Sequence, residues 1–495
     1  MIRSLKIHNF KSFSSLTNFE LGKINLLYGP NSAGKSSVIQ SILLLKQSFG
    51  QSDFPGQRRR QIATELVTQG EFVDLGTFKA LISGHQDTKS LSVSITSDHL
   101  NDRTRAIEGA TELTLTYKKD QLYSFSASLH GNLSATLKLS RERDSRGEDN
   151  QNDLFPDARP KLLKRFGILK RYQKPFSRDM GAESFLRFIY DTRMYYFDKS
   201  VFNKKYPEQQ IVDALDKYQM DFSVYRPPGR MEGRDKLTMH IESIVDSFIS
   251  SCTYNTSRAL SLVSYLGPFR SYPQRFYSFS GAAASTVGAS GENMAHVIFK
   301  SRRKIQDDIN KWFARFDIPY TLSVEKQSSD ISGNLIVLKL TDKKSEIAVS
   351  PKDVGFGIGQ IMPILTEGII FTSRTICVEQ PELHLHPRLQ AHLGDFFVET
   401  ATPKPDSFGR GIQWIIETHS ESLMLRIQQH IKNGKINAKD VKVYYIDKDK
   451  DGWSIVTPLE IDSKGRFIDS WPDGFFADSY SDILGWAKTG SKNAG

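Results

Sequence analysis

The chain has 495 residues and a formal net charge of +10, with 39% hydrophobic and 25% charged residues. That length gives room for roughly two to four domains and a large buried core, and the composition is that of a globular protein, which excludes a disordered, collagenous or membrane-embedded chain. Cys252 and Cys377 lie far apart and outside any metal-type spacing, which argues against disulfides and zinc. No window approaches the apolar run of a transmembrane helix, and the opening MIRSLKIHNF has no signal-peptide core, so a cytoplasmic protein is expected.

The positive charge is clustered at Arg58-Arg59-Arg60, at Lys161 to Lys174 and at Arg302-Arg303-Lys304. Such clusters suit a polyanion, DNA or RNA; a solvated basic face gives the same composition.

In chain order, residues 1–28 alternate as strands do: Ile2, Leu5 and Ile7, then Phe19 and Leu21, then Ile24, Leu26 and Leu27. The run Ile24 to Tyr28 reads as a buried strand and leads into GPNSAGKSS, Gly29 to Ser37, which fits the P-loop pattern G-x-x-x-x-G-K-[ST]. An apolar helix continues over Val38 to Leu45. Gly29 and Gly34 let the backbone N–H groups of the turn, with Asn31, Ser32, Ala33 and Ser37, point inward at phosphate oxygens. The helix N-terminus adds partial positive charge, Lys35 reaches the β- and γ-phosphates, and the Ser36 hydroxyl binds Mg²⁺. ATP or GTP with Mg²⁺ is the implied ligand.

Alternating runs over residues 91–140 (LSVSIT, ELTLTY, LYSFSASL, NLSATLKL) predict an antiparallel meander with a turn at Asp120-Gln121. The charged stretch Arg141 to Pro160 predicts a loop, and residues 161–255 read as helical. SLVSYLG returns to strand, one long helix is expected from Gly291 to Phe316, and YTLSVEK, NLIVLKLT and EIAVS read as further strands. Helix and strand then alternate from 358 to 446, which predicts a mainly parallel central sheet.

The strand in TICVEQPELHLHP ends in acid, where a Walker B element belongs. Glu379 there can hold Mg²⁺ through its water shell. Gln380 occupies the place of a general base, but glutamine orients a water without taking its proton; Glu382 is the carboxylate that replaces it if the turn brings it round. His384 and His386 have the spacing of a metal pair without further convergent ligands. In WIIETHSESLMLRI a strand leads to Thr418-His419-Ser420, and His419 is placed to reach the γ-phosphate, Ser420 to cap the next helix. DVGFGIGQIMP, with Gly355, Gly357 and Gly359, starts another helix with a glycine-rich N-terminus. DKDKDG, 447–452, reads as a hairpin turn rather than a calcium loop, because Pro458 stands where the last calcium ligand belongs.

These motifs in this order resemble the ABC-type ATPase heads of the SMC, RecF and overcoming-lysogenization-defect ATPases, over roughly residues 1–84 and 261–446. EQPELHLHP, ETHSESLMLRI, YLGPFRSYPQR and LEIDSKGRFIDSWPDGFF are similar to a bacterial subgroup of predicted ATPases often found in antiphage defence loci. The resemblance implies an α/β fold: an ABC-type head with a mainly parallel central sheet, an antiparallel β subdomain and a helical insertion. It divides the chain into 1–140, with P-loop and meander; 141–260, the insertion; 261–440, with signature, Walker B and histidine; and 441–495, a small C-terminal β element.

It further implies that LKIHNFKSF places Lys11 and Phe13 near the nucleotide. Gly357, Gly359 and Gln360 of GFGIGQ become the signature that completes a partner's site, with Gly357 where serine is usual. Gln69, in VTQGEFVDLG, is a candidate Q-loop metal ligand; a plain turn looks the same. Slow hydrolysis, a homodimer or higher homo-oligomer around ATP–Mg²⁺, and a separately encoded nuclease or toxin as effector are implied, with no membrane role. A DNA-repair clamp and an ATP-gated scaffold are the alternatives.

Overall fold

A computed structural model of the protein describes residues 1–50, 63, 65–98, 109–131, 135–141, 166–168, 252–278, 286–330, 333–402, 411–469 and 472. The chain divides into two compact units. One comprises Met1, Glu20–Gln40 and Leu262–Gly495; the other comprises Ile2–Phe19 and Ser41–Ser261.

The first unit is built on a six-stranded sheet. Its order is Ser454–Leu459, Val441–Lys448, Ile24–Tyr28, Gln413–Glu417, Thr375–Glu379, Val263–Leu266. Every neighbouring pair is parallel except the hairpin between the first two. INLLY, QWIIE and TICVE are buried at every position, the mark of strands covered on both faces of a parallel sheet. The expected mainly parallel sheet is therefore present. Val441–Lys448 pairs directly with the P-loop strand and is part of this sheet. At the hairpin turn, Asp449 Oδ1 accepts the N–H of Asp451 and of Trp453, and Gly452 has φ 83°, so DKDKDG is a turn held by its own carboxylate.

Trp414 sits at the centre of this core. Its indole packs at 4.6 Å from the Phe397 ring and 6.0 Å from that of Phe396, and its N–H donates to Thr400 Oγ1 at 2.9 Å. Helix Phe356–Ile370 lies flush on the same group: a Cβ added to Gly368 would meet Phe396 Cζ at 2.6 Å and Trp414 Cζ2 at 3.0 Å. Helices Pro387–Ala401 and Glu421–Lys432 are tied together by Asp395, whose carboxylate accepts from Arg426 Nε at 2.7 Å and Nη2 at 2.9 Å and pairs with His430.

An antiparallel sheet in the same unit joins Tyr277–Ser278, Gly333–Asp342 and Tyr320–Ser329, with Ala348–Val349 added to Gly333–Asp342. The single helix expected over 291–316 is two helices, Met294–Lys300 and Arg302–Arg315. They part at Ser301, whose hydroxyl donates to the Val297 carbonyl at 2.6 Å; serine competes with the backbone for such acceptors and favours helix ends.

The second unit carries a seven-stranded sheet in the order Thr17–Glu20, Ile2–His8, Leu91–Asp98, Gly109–Lys118, Gln121–Gly131, Ala135–Arg141, Phe166–Ile168. The pairs from Ile2–His8 onward are antiparallel, as the alternation predicts. Lys119 and Asp120 both have positive φ, 51° and 64°, the type I′ hairpin geometry that follows strand twist. Phe166–Ile168 is a strand inside the stretch expected to be helical, drawn in by pairing with Ala135–Arg141. Residues 252–261 are helical. The remainder of the expected helical insertion, and the basic clusters at 58–60 and 161–174, lie outside the described residues, as do the side chains of Arg302, Arg303 and Lys304. No helix among the described residues is long and apolar enough to cross a membrane.

Candidate functional site

The site forms at the C-terminal edge of the parallel strands of the first unit, where open α/β sheets expose their strand ends. Gly29 follows the buried strand and turns with φ 137°. A Cβ there would stand 1.9 Å from the Ile446 carbonyl oxygen, so only glycine fits. Ser32 and Gly34 also have positive φ, 62° and 117°, and the helix begins at Lys35. Ser454 donates to the Ala33 carbonyl and pins the loop to the neighbouring hairpin. Asn31 and Ser32 are exposed, Ala33 and Ser37 buried.

Lys35 is buried, at 4% exposure, and its ammonium donates to the carbonyls of Gly29 at 3.0 Å and Pro30 at 2.8 Å. Burial pulls its pKa below the ordinary lysine value, against the pull of Glu417 and then of Glu382. These carboxylates supply the compensating charge that a desolvated ammonium requires.

The register brings the acidic strand ends into line. Glu379 pairs with Glu417, and Glu417 with Leu27 of the P-loop strand. Glu379 Oε1 accepts the Tyr265 hydroxyl at 3.1 Å, and its main-chain carbonyl accepts Arg270 Nη2 at 2.8 Å. Arg270 is 5% exposed; burial brings its pKa down to about 10, so it stays cationic at neutral pH. Gln380 has φ 43° and donates its N–H to the Glu417 carbonyl at 2.8 Å, an uncommon backbone for a residue with a side chain.

Glu382 is turned inward, and both its oxygens are engaged. Oε2 accepts the Thr418 hydroxyl and Oε1 the His419 N–H, each at 2.7 Å. Burial raises its pKa while these bonds lower it. His419 is held below the ordinary histidine range by burial and then by Lys35, so the imidazole is neutral at neutral pH and lies within the field of the P-loop lysine. Ser420 caps the following helix, accepting the Leu423 N–H at 3.1 Å. His386 caps helix Pro387–Ala401 through the Arg388 N–H.

The glycines of GFGIGQ have a reason inside this chain. A Cβ at Gly359 would meet Pro273 Cγ at 2.7 Å, and one at Gly357 would meet the His384 carbonyl oxygen at 3.2 Å. Gln360 is 1% exposed and lies inside helix Phe356–Ile370, which begins four residues before it, so Gly357 and Gly359 are helical rather than a loop leading to a helix at Gln360. Gly355 is exposed, and an added Cβ would meet nothing within 4 Å. Lys11, Phe13 and Gln69 belong to the second unit. Lys11 has φ 51° and donates its N–H to the Leu81 carbonyl, Phe13 is fully buried, and Gln69 closes a turn by bridging to Asp74.

Sequence reasoning did not assign Glu417, Tyr265 or Arg270. Glu417 had a readable signal: it stands at a strand end, one residue before Thr418-His419. Its carboxylate accepts the Ser36 hydroxyl.

No curated protein matches the chain. Among solved structures, it is similar to an SmcHead bound to the C-winged helix domain of ScpA, at 11% identity over 93% of this chain and 98% of that one, with a TM-score of 0.38. It is similar as well to an Smc head domain with an extended coiled coil bound to the C-terminal domain of ScpA derived from Pyrococcus furiosus, at 12% identity over 98% and 99%, TM-score 0.38. The SMC head domain from Thermotoga maritima gives 10% identity over 93% and 99%, TM-score 0.35. Residues 436–484 match a family described as a protein of unknown function, DUF3696. Residues 24–425, which carry the P-loop, the acidic strand ends and His419, match the family described as "AAA domain, putative AbiEii toxin, Type IV TA system", and the chain belongs to that ATPase-domain family.

Proposed function

We propose that the protein binds ATP with Mg²⁺ at Gly29 to Ser37, hydrolyses it slowly, and uses the bound state to join two copies and control a separately encoded effector in antiphage defence. The observation that carries the nucleotide reading is the convergence of Lys35 and Ser36 with Glu417, Glu382 and His419 at one sheet edge. Mg²⁺ would neutralise phosphate charge there, and the chain's own donors orient the triphosphate. The defence setting rests on the resemblance and on the toxin–antitoxin wording of the family description.

Slow turnover follows from the residues near the reacting phosphate. Gln380 cannot take a proton. Glu382, the carboxylate expected to replace it, has its oxygens committed to Thr418 and His419 and so orients the histidine segment. Steady-state phosphate release should fall below about 1 s⁻¹, the low end of ordinary enzyme rates. Gln380→Glu should leave the rate unchanged or raise it. Glu382→Gln should reduce it through loss of His419 placement. Wild-type release no faster than that of Lys35→Ala would favour the second reading, an ATP-gated scaffold with negligible turnover, for which the same Gln380 and Glu382 geometry argues.

Association is tested separately. Gly355, exposed just before helix Phe356–Ile370, marks the surface offered to a second copy's nucleotide and is its cleanest probe because the space around it is open. A non-hydrolysable ATP analogue should raise the mass seen by light scattering, and Gly355→Asp should suppress the rise by placing negative charge against the phosphates. A rise unaffected by Gly355→Asp would sink the shared-site proposal.

A further inference from the structure

The P-loop strand has two neighbours in the sheet, Val441–Lys448 and Gln413–Glu417, and the second ends in Glu417, paired in register with Leu27. The Walker B strand Thr375–Glu379 lies one place further out. Glu417 therefore stands closer to the P-loop than Glu379 by one strand spacing, about 4.8 Å in any sheet. The side-chain bonds agree with the topology. Glu417 accepts the Ser36 hydroxyl and acts on Lys35, whereas Glu379 Oε1 takes the Tyr265 hydroxyl on the far side, toward Val263–Leu266.

Glu417 is also incompletely satisfied. The residue is 5% exposed, and its Oε2 has no hydrogen-bond partner among the described residues. A buried carboxylate oxygen without a donor is costly and calls for a cation or a bound water. Lys35 does not answer it in this arrangement, because its ammonium donates to Gly29 and Pro30. Among the described residues no three or more His, Cys, Asp or Glu gather as an all-protein metal cage. Mg²⁺ does not need one: it keeps several waters and is bound by one or two carboxylates together with the substrate's phosphates. A serine hydroxyl and a half-satisfied buried carboxylate, hydrogen-bonded to each other beside the phosphate loop, fit that requirement.

We propose that Glu417, with Ser36, holds the Mg²⁺ ion that accompanies the nucleotide, and that Glu379 braces the site through Tyr265 and Arg270. The proposal rests on the nucleotide reading above. The ligand class is a divalent cation chelated by a nucleoside di- or triphosphate. Replacing Glu417 removes a metal-holding carboxylate and one negative charge near the phosphates, so metal and nucleotide affinities should separate.

The test uses the full chain, Mn²⁺ as a paramagnetic stand-in and a non-hydrolysable ATP analogue. Electron paramagnetic resonance reads free Mn²⁺, and a fluorescent analogue reads nucleotide binding with and without metal. Glu417→Gln should weaken Mn²⁺ binding in the nucleotide complex at least about tenfold, the lower end of what losing a metal-site partner costs. Metal-free nucleotide affinity should hold or rise. Glu379→Gln should weaken Mn²⁺ less than Glu417→Gln does. Mn²⁺ affinity in Glu417→Gln within twofold of wild type, with nucleotide still bound, would overturn the assignment. Wild type that binds no nucleotide at all would sink the underlying nucleotide reading instead. Should Glu417→Gln fail to fold, Fe²⁺ with ascorbate and peroxide on wild type decides. Backbone cleavage is expected at 417–418 and at the P-loop, and cleavage at 379–380 without 417–418 overturns the proposal.

Discussion

Lys35→Ala should lower ATP affinity by at least about tenfold, since charge-assisted hydrogen bonds to phosphate are roughly twice as strong as neutral ones. The loss has two sources. The first is the ammonium itself, carried by a residue that is only 4% exposed and held by the Gly29 and Pro30 carbonyls, so part of its hydration shell is already replaced. The second is what removal uncovers. Glu417 and Glu382 both act on Lys35, and without it their negative charge meets the phosphates unopposed. Lys35→Arg keeps the charge but replaces a compact ammonium with a planar fork, and should recover only part of the affinity. Equilibrium titration of a fluorescent ATP analogue measures all three chains. Wild-type affinity in Lys35→Ala would remove the nucleotide assignment.

Trp414→Ala should cost about 3–5 kcal/mol of stability, the range for truncating a buried aromatic to alanine. Trp414 is fully buried, its ring meets Phe396 and Phe397, and Gly368 leaves space for the indole against helix Phe356–Ile370. Truncation leaves a cavity that flanking rings on a rigid helix cannot fill, and it leaves the Thr400 hydroxyl without its indole donor. Denaturant unfolding followed by circular dichroism gives the difference. A loss below about 1 kcal/mol would mean that the helices close the space, against the usual penalty for a core cavity. Trp414→Phe should fall between, restoring ring volume without the N–H.

The P-loop was legible because its chemistry is local: loop, lysine and serine must follow one another for the turn to close on a phosphate. The parallel sheet was legible because INLLY, TICVE and QWIIE are apolar without alternation. What sequence could not supply was the order of the strands. Gln413–Glu417 lies between the P-loop strand and the Walker B strand, which turns Glu417 from an ordinary strand end into a neighbour of Ser36. Glu382 was read as a candidate base, yet the partners that hold its two oxygens, Thr418 and His419, lie 36 and 37 residues further on. The glycines at 357 and 359 suggested a contact with another subunit, and the structure gives them a second cause in Pro273 and the His384 carbonyl. The break at Ser301 escaped periodicity because apolar spacing is the same on both sides of a short interruption.

The sheet order also dictates when during synthesis the site comes into existence. Ile24–Tyr28 has its sheet partners at Gln413–Glu417 and Val441–Lys448, and Asn25 donates to the Trp414 carbonyl across 389 positions of sequence. At roughly 5–20 residues per second, a ribosome needs about 20–80 s to travel between those two halves. Through that interval the nascent chain carries its phosphate loop without the strand that supplies Glu417, Thr418 and His419. The full set of side chains at this sheet edge is therefore assembled only once the later strands have inserted beside the first.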